Sequence, residues 1–353
     1  MSLPHPRFAA IALVALLLAA TVAACAGPGG SASQPPASSA VGTAAPGVTP
    51  TKLVVGLGYI PSVQFAQFYL AQQAGYYAEA GLDVEFQNKI DPDLIPLVGA
   101  GTIDVGIGDG TSVMPAVSTG IPVRYIATIY GQFPNILFAK ASSGITKAAD
   151  LAGKKIGTPG RYGSGWTFLQ ALLGTANLTT NDVEIVDYPD FTQRAAVEQG
   201  AVDAATGFSN NEPVAMERGG TKAVVLHIDD AVPLPGPGLI ASTATLEAKH
   251  DAIAAFVAAT LRAMNEIKAN PKAGLDAAIK AVPELASDRD GQAAVLAATI
   301  DAWTGKLQQT RGLGAIDEPG WTASIPLLNE LKMLAKPVTT EELVRNDLLP
   351  PGD

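Results

Sequence analysis

Short apolar runs alternate with segments of helical periodicity along the chain, and the alternation is repeated. Lys52-Leu53-Val54-Val55-Gly56-Leu57 reads as a buried strand within 51–59, after which Phe65, Phe68, Tyr69 and Gln72 recur at helical spacing until the glycines at 75 and 81. Leu82 to Phe86 is a second predicted strand and Asp93 to Val98 a short helix. Gly101 to Gly110 is a small-residue strand running into a loop and a helix through Val117, and Val123 to Tyr130 is a further strand. Past Ala139 the pattern restarts, with a short helix over 148–151, strands over 154–158 and 183–188, and helices over 166–173 and 193–199. Strand and helix in alternation predict an α/β fold with parallel-rich sheets covered by helices on both faces.

A repeated phrase divides the chain. Gly101-Thr102-Ile103-Asp104-Val105 and Gly200-Ala201-Val202-Asp203-Ala204 each follow a helix and precede a polar loop and another helix, which marks them as equivalent places in two similar lobes. The first lobe is expected over 51–138 and the second over 139–235. Residues 236–353 return to the first lobe as alanine-rich helices over 245–249, 253–268, 271–280, 291–303 and 321–334, with a capped turn from Thr339. Phe138 to Ser142 and the proline-rich Val232 to Gly238 are the expected outward and return crossings, a two-segment hinge.

The N-terminus carries a different signal. One positive side chain, Arg7, precedes the apolar run Phe8 to Ala20 and the small residues Val22-Ala23-Ala24-Cys25, the pattern of a secretory signal peptide over 1–24. That run is shorter than the roughly 20 apolar residues a membrane-spanning helix needs. Val22-Ala23-Ala24-Cys25 resembles a bacterial lipobox, which makes Cys25 the expected lipidation site and a membrane's outer face the expected location. Residues 25–50 have many Pro, Gly, Ser and Ala and no charge, the composition of a flexible tether.

Composition removes several functions. Cys25 is the only cysteine and the histidines are His5, His227 and His250, which excludes an internal disulfide and leaves no metal-ligand or nucleophilic constellation. No cofactor and no catalytic residue is expected. A net charge of −10, without a basic block, argues against nucleic-acid binding. Gly160-Arg161-Tyr162-Gly163-Ser164-Gly165 lacks the Lys-Ser/Thr ending of a phosphate-binding P-loop.

In open sheets with parallel strands, ligands bind beyond the strands' carboxyl ends. The loops there name the candidate contacts: Tyr59, Gln64 and Phe65, then Asp109, then Tyr130, then Arg161, Tyr162, Ser164 and Trp166, and finally Asn210, Asn211 and Glu212. They combine rings with neutral hydrogen-bonding groups, which suits a flat, partly polar ligand. Phe68 and Tyr69 are assigned to the core. Asn210 and Asn211 also fit as helix caps, and Glu212 also fits as a first-turn acid.

Several phrases carry a resemblance. Gly58-Tyr59-Ile60-Pro61-Ser62-Val63-Gln64-Phe65-Ala66, Gly75-Tyr76-Tyr77-Ala78-Glu79-Ala80-Gly81-Leu82-Asp83-Val84, Asp104-Val105-Gly106-Ile107-Gly108-Asp109-Gly110 and Asn210-Asn211-Glu212-Pro213 resemble substrate-binding proteins of ABC importers. The superfamily is that of the nitrate, sulfonate and taurine binders, and the branch resembles the binders of thiamine pyrimidine precursors and riboflavin. The resemblance spans 51–334 and implies a type II periplasmic-binding-protein fold that closes on its ligand, with a permease and its ATPase as partners of a monomer. It also implies that Tyr59 and Phe65 face Arg161, Tyr162 and Trp166 across the cleft, and that Asn211 and Glu212 reach the polar edge of a heterocycle. Gln67, Phe208 and Trp166 depart from the residues common in that branch. An oxyanion binder of the same fold is the alternative. An enzyme that makes the thiamine pyrimidine is the rival from another class, and its own histidine and cysteine-rich loop have no counterpart in the candidate loops.

Overall fold

The computed structural model describes residues 49–88, 91–228 and 234–350. The expected signal peptide, Cys25 and all but the last two residues of the tether lie outside them. The described strands, in chain order, are β1 (Thr51–Gly56), β2 (Leu82–Gln87), β3 (Val105–Gly108), β4 (Val123–Thr128), β5 (Asn135–Lys140), β6 (Lys155–Thr158), β7 (Glu184–Asp187), β8 (Ala204–Phe208), β9 (Ala223–Leu226) and β10 (Gly238–Ser242). They form two five-stranded sheets, ordered β2-β1-β3-β10-β4 and β7-β6-β8-β5-β9.

The two orders are the same design written twice. In each sheet one strand, β1 or β6, pairs in parallel with both of its neighbours. In each, one strand runs against both of its neighbours: β10 between β3 and β4, and β5 between β8 and β9. The sheets are therefore mixed, and the reversed strand in each is the one that has just crossed from the other lobe. It joins its sheet directly after the crossing, without the helical crossover that a parallel connection requires.

The repeated aspartate phrase has an equivalent structural role in both lobes. Asp104 Oδ2 accepts the Val54 N–H at 2.9 Å, and Asp203 Oδ2 accepts the Lys155 N–H at 2.9 Å. The backbone N–H of each aspartate is returned to the same residue's carbonyl, Val54 or Lys155, also at 2.9 Å. Each aspartate therefore fixes the approach of one strand to the central strand of its sheet.

Both sheets are covered on both faces, and successive side chains alternate between the two cores. Leu53 and Val55 of β1 and Leu239 and Ala241 of β10 point into one core of the first lobe, while Ile240 points into the other. In β5, Leu137 and Ala139 share a core with Phe168, while Ile136 and Phe138 share another with Val197 and Met216. The C-terminal helices pack on the first lobe. Phe256, in the helix Thr243–Ala269, stacks on Phe68 and Tyr77 with ring centroids 6.3 and 5.1 Å away, and Trp321 meets Tyr125 at 4.8 Å on the opposite face. The break expected after Lys249 is present as non-helical backbone at that residue (φ −131, ψ 28), where two helices meet at a kink within 243–269.

The outward crossing falls earlier than the sequence suggested. Phe138 lies within β5 and pairs with β8, so the passage between sheets occupies 129–134 rather than 138–142. The apolar run 135–140 gave no sign of which sheet it would join. The return passage lies between β9 and β10, and residues 227–228 and 234–237 of it are described. The two passages touch: the Pro237 carbonyl accepts both Ile129 N–H at 3.1 Å and Tyr130 N–H at 2.9 Å. At Gly236 there is no room for a side chain, since a Cβ would stand 2.5 Å from the Tyr130 carbonyl oxygen. Among the described residues, no helix is long and apolar enough to cross a membrane.

Candidate ligand-binding cleft

A cavity of about 190 Å³ lies between the lobes, walled by the loops that follow β1, β3, β4, β6 and β8. Tyr59, Gln64 and Phe65 reach it from the turn after β1, Asp109 from the end of β3, and Tyr130 from the outward passage. From the second lobe come Tyr162 and Ser164 after β6, and Asn211 and Glu212 after β8. Lobe meets lobe at an aromatic edge, where Tyr59 and Phe191 pack T-shaped with centroids 4.9 Å apart.

Local chemistry explains how several of these groups are held. Ser62 caps the short turn Val63–Phe65 by accepting the Gln64 N–H, which turns Gln64 and Phe65 inward. Asp109 caps the helix Gly110–Ser118: Oδ1 accepts the Thr111 and Ser112 N–H groups at 2.9 and 3.0 Å and also the Thr111 hydroxyl, and Oδ2 accepts the Ser112 hydroxyl at 3.0 Å. Its carboxylate is committed to the helix end, so its main service to the cavity is to fix the wall. Burial pushes the Asp109 carboxyl above the usual range against those hydrogen bonds.

Glu212 is differently placed. Its Oε2 accepts the Phe208 N–H at 2.7 Å and its Oε1 accepts the Asn211 amide at 3.2 Å. Burial raises its pKa, and the two hydrogen bonds and the Arg194 charge oppose that rise only in part. Close packing makes the arrangement specific to glycine at 207, where a Cβ would lie 2.6 Å from Glu212 Oε2 and 2.8 Å from Phe138. The Tyr59 hydroxyl is pushed well above the ordinary tyrosine range, first by burial and then by the Glu212 charge.

Asn210 is buried beside the cavity and outside its lining. Its Nδ2 donates to Gln64 Oε1 at 3.1 Å, Tyr130 Oη at 3.4 Å and Thr299 Oγ1 at 2.8 Å. It thus joins the second lobe to the first lobe, to a hinge passage and to the C-terminal helix Arg289–Trp303. The loop it occupies gave the residue type; only the tertiary fold shows that its partners lie on the opposite lobe.

Two expected contacts stand elsewhere. Arg161 is exposed, with its Nε 3.5 Å from Asp187, and it lies outside the cavity lining. Trp166 is also outside the lining; the turn of the helix Gly163–Gly174 carries it onto the apolar core that contains Leu137 and Phe168. The ring expected from Trp166 is supplied by Phe191, which sits at φ 59 in the loop before the helix Gln193–Gln199.

Sequence reasoning also passed over the polar residues inside elements. Gln67, Asn135, Thr158, Gln193 and Thr206 all line the cavity and are buried. Three of them have a polar atom without a protein partner: Gln67 Oε1, Asn135 Nδ2 and Gln193 Oε1. The readable signal was their position, since an amide or threonine within an otherwise apolar buried element requires a partner. Of the positions where the chain departs from its resembled branch, Gln67 and Phe208 line the cavity.

Comparison with known proteins fits this architecture. Residues 62–274, more than half of the chain, match the family described as NMT1/THI5 like. The chain belongs to the NMT1/THI5-like family. This NMT1/THI5-like chain is 31% identical over 343 residues to the riboflavin-binding protein RibY of Chloroflexus aurantiacus, an alignment covering 96% of the chain and 97% of RibY. It is 28% identical over 225 residues to a 4-amino-5-hydroxymethyl-2-methylpyrimidine phosphate synthase of Legionella pneumophila, covering 61% and 69% of the two proteins. Among solved structures, the alkanesulfonate-binding protein SsuA of Xanthomonas axonopodis pv. citri, bound to MOPS, superimposes with a TM-score of 0.67. Sequence identity to it is 17%, and 85% of this chain and 100% of SsuA are covered. The fold is that of the periplasmic binding proteins.

Proposed function

We propose that the protein is the extracytoplasmic binding component of an ABC importer and that its cavity holds a planar, uncharged heterocycle of the riboflavin type, for delivery to a permease. The observation that carries this reading is the mixed character of the wall. Rings from Tyr59, Phe65, Tyr162 and Phe191 stand beside buried amides whose Oε1, Nδ2 and Oε1 atoms, on Gln67, Asn135 and Gln193, lack partners. A flat ring with donors and acceptors on its edges satisfies both at once, because stacking suits its faces and an unpaired buried amide costs about 1–3 kcal/mol. Glu212 completes the set by accepting from a ring N–H. The near-full-length similarity to RibY supports riboflavin over a smaller pyrimidine.

Electrostatics argues against the oxyanion alternative. The cavity lining holds two carboxyl groups, on Asp109 and Glu212, and no lysine or arginine. A nitrate or sulfonate there would face negative charge in a poorly solvated site with no cation to offset it. An enzyme of the pyrimidine-making kind is disfavoured because no histidine or cysteine is among the lining residues. Cys25 is proposed as the lipid-bearing residue that keeps the protein at a membrane's outer face, with residues 25–50 as its tether.

Isothermal titration of the purified protein with riboflavin, an aminopyrimidine thiamine precursor, taurine and nitrate tests the proposal. One-to-one binding of riboflavin, weakened at least about tenfold by Asn135→Leu or Gln193→Leu, is the expected result, since each change removes one edge contact. Binding of taurine or nitrate alone overturns it.

A further inference from the structure

The inner cavity opens into a second chamber. This outer space, of about 640 Å³, shares Tyr59, Phe191, Asn211 and Glu212 with the inner one, and these four residues mark where the two meet. The volumes differ in the direction that matters. A space of about 190 Å³ is below the roughly 300–1,000 Å³ usual for small-molecule sites, and the space adjoining it is larger.

The chemistry changes between the chambers as well. Beyond the shared residues, the outer lining presents Ser62, Arg194, Arg218, Asp288 and Gln292, drawn from both lobes and from the C-terminal helices. Its two cations already have carboxylate partners: Arg194 Nη1 lies 2.9 Å from both Glu198 oxygens, and Arg218 Nη2 lies 3.3 Å from Asp288 Oδ1. With Glu212 and Asp288 also in the wall, positive and negative groups balance there. An anionic group there would stand beside carboxylates that already neutralise the two cations. Hydroxyl groups do not face that cost, because each donates to a carboxylate and accepts from a guanidinium or amide.

We infer that the outer chamber is a second subsite, which takes a neutral polyhydroxylated chain carried by the ring in the inner cavity. Resting on the ring assignment made under Proposed function, it adds that the ligand has two parts and that the tail is uncharged. Arg194 and Gln292 are its principal specificity-determining residues, reached only by the tail.

Calorimetry with three ligands that share one ring system tests this: lumichrome, which has no tail; riboflavin, with a ribityl tail; and flavin mononucleotide, with a phosphorylated one. Riboflavin is expected to bind at least about tenfold more tightly than lumichrome, and flavin mononucleotide no more tightly than riboflavin. Gln292→Leu and Gln292→Ala are expected to weaken riboflavin about three- to tenfold while leaving lumichrome within about twofold of the unaltered protein. Lumichrome binding as tightly as riboflavin overturns the subsite while leaving the ring assignment intact, as does equal weakening of both ligands in the variants. Flavin mononucleotide binding more tightly than riboflavin, with an affinity that falls as salt rises, overturns the neutral tail. Failure of all three to bind, with the protein folded by thermal melt, overturns the ring assignment and the subsite with it.

Discussion

Glu212 is a side chain whose burial opposes folding at a place proposed for binding. Its carboxyl is buried and its pKa raised, so the folded protein holds that proton more tightly than the unfolded chain does. Stability from this source is fully present below the unfolded carboxyl pKa of about 4.3 and is lost as pH rises through the raised folded value. Glu212→Gln removes the titration, so the variant's melting temperature, followed from pH 4 to 8, is expected to fall less with rising pH than that of the unaltered protein. A parallel pair of pH profiles overturns this account. The same substitution is expected to weaken a ring N–H ligand by about tenfold or more, because an amide Nε2 replaces an acceptor. Gly207→Ala is the steric counterpart: its methyl group would press on Glu212 Oε2 and on Phe138, so binding and thermal stability should both decline, as titration and a melt would show. Much of the cavity lining was legible, because Tyr59, Gln64, Tyr162, Asn211 and Glu212 sit in loops just past strand ends. Gln67, Asn135 and Gln193 were not, because they lie within or at the start of regular elements, where local pattern describes the backbone and not which way a buried amide points.

At the scale of elements, the paired phrases around Asp104 and Asp203 are the most informative part of the sequence. A Gly-x-x-Asp match is weak by itself, but the two carboxylates accept the N–H groups of equivalent strand residues at the same distance. Asp104 is the more buried and has a second partner, Lys249 Nζ at 2.8 Å, just where the C-terminal helix kinks. Asp203 is exposed and has no such cation. Asp104→Ala is therefore expected to cost about 1–3 kcal/mol in urea unfolding, because it leaves the Val54 N–H unpaired, with Asp203→Ala at the lower end or below. Equal costs would contradict the asymmetry. Most helices and the parallel strands were readable from periodicity. β5, β9 and β10 were not assigned, since each is a short apolar run of four to six residues whose membership in a sheet depends on which lobe the chain has entered.

Across the whole molecule, the lobes are held by two kinds of connection with different consequences. The crossings are covalent and tied to each other at Pro237, so any rotation of one lobe against the other would turn about them. Asn210 is a separable contact: its amide reaches Gln64 on the opposite lobe and Thr299 on the C-terminal helix, and none of these bonds requires a bound ligand. The protein's own hydrogen bonds thus hold the lobes together in this arrangement, and on the proposed reading a ligand would supply the remainder of the closing energy. Replacing Asn210 with alanine deletes the bonds and leaves Thr299 Oγ1 still satisfied by the Val295 carbonyl at 2.8 Å, so local folding has a fallback. If the lost bonds are worth about 1–2 kcal/mol to closure, the equilibrium constant for closing falls about 5- to 30-fold, and apparent affinity falls with the closed fraction. Small-angle X-ray scattering of Asn210→Ala without ligand should then show a larger radius of gyration, which returns to that of the unaltered protein at saturating ligand. An unchanged radius and unchanged affinity would show that the ligand alone draws the lobes together, and that the Asn210 bonds merely follow.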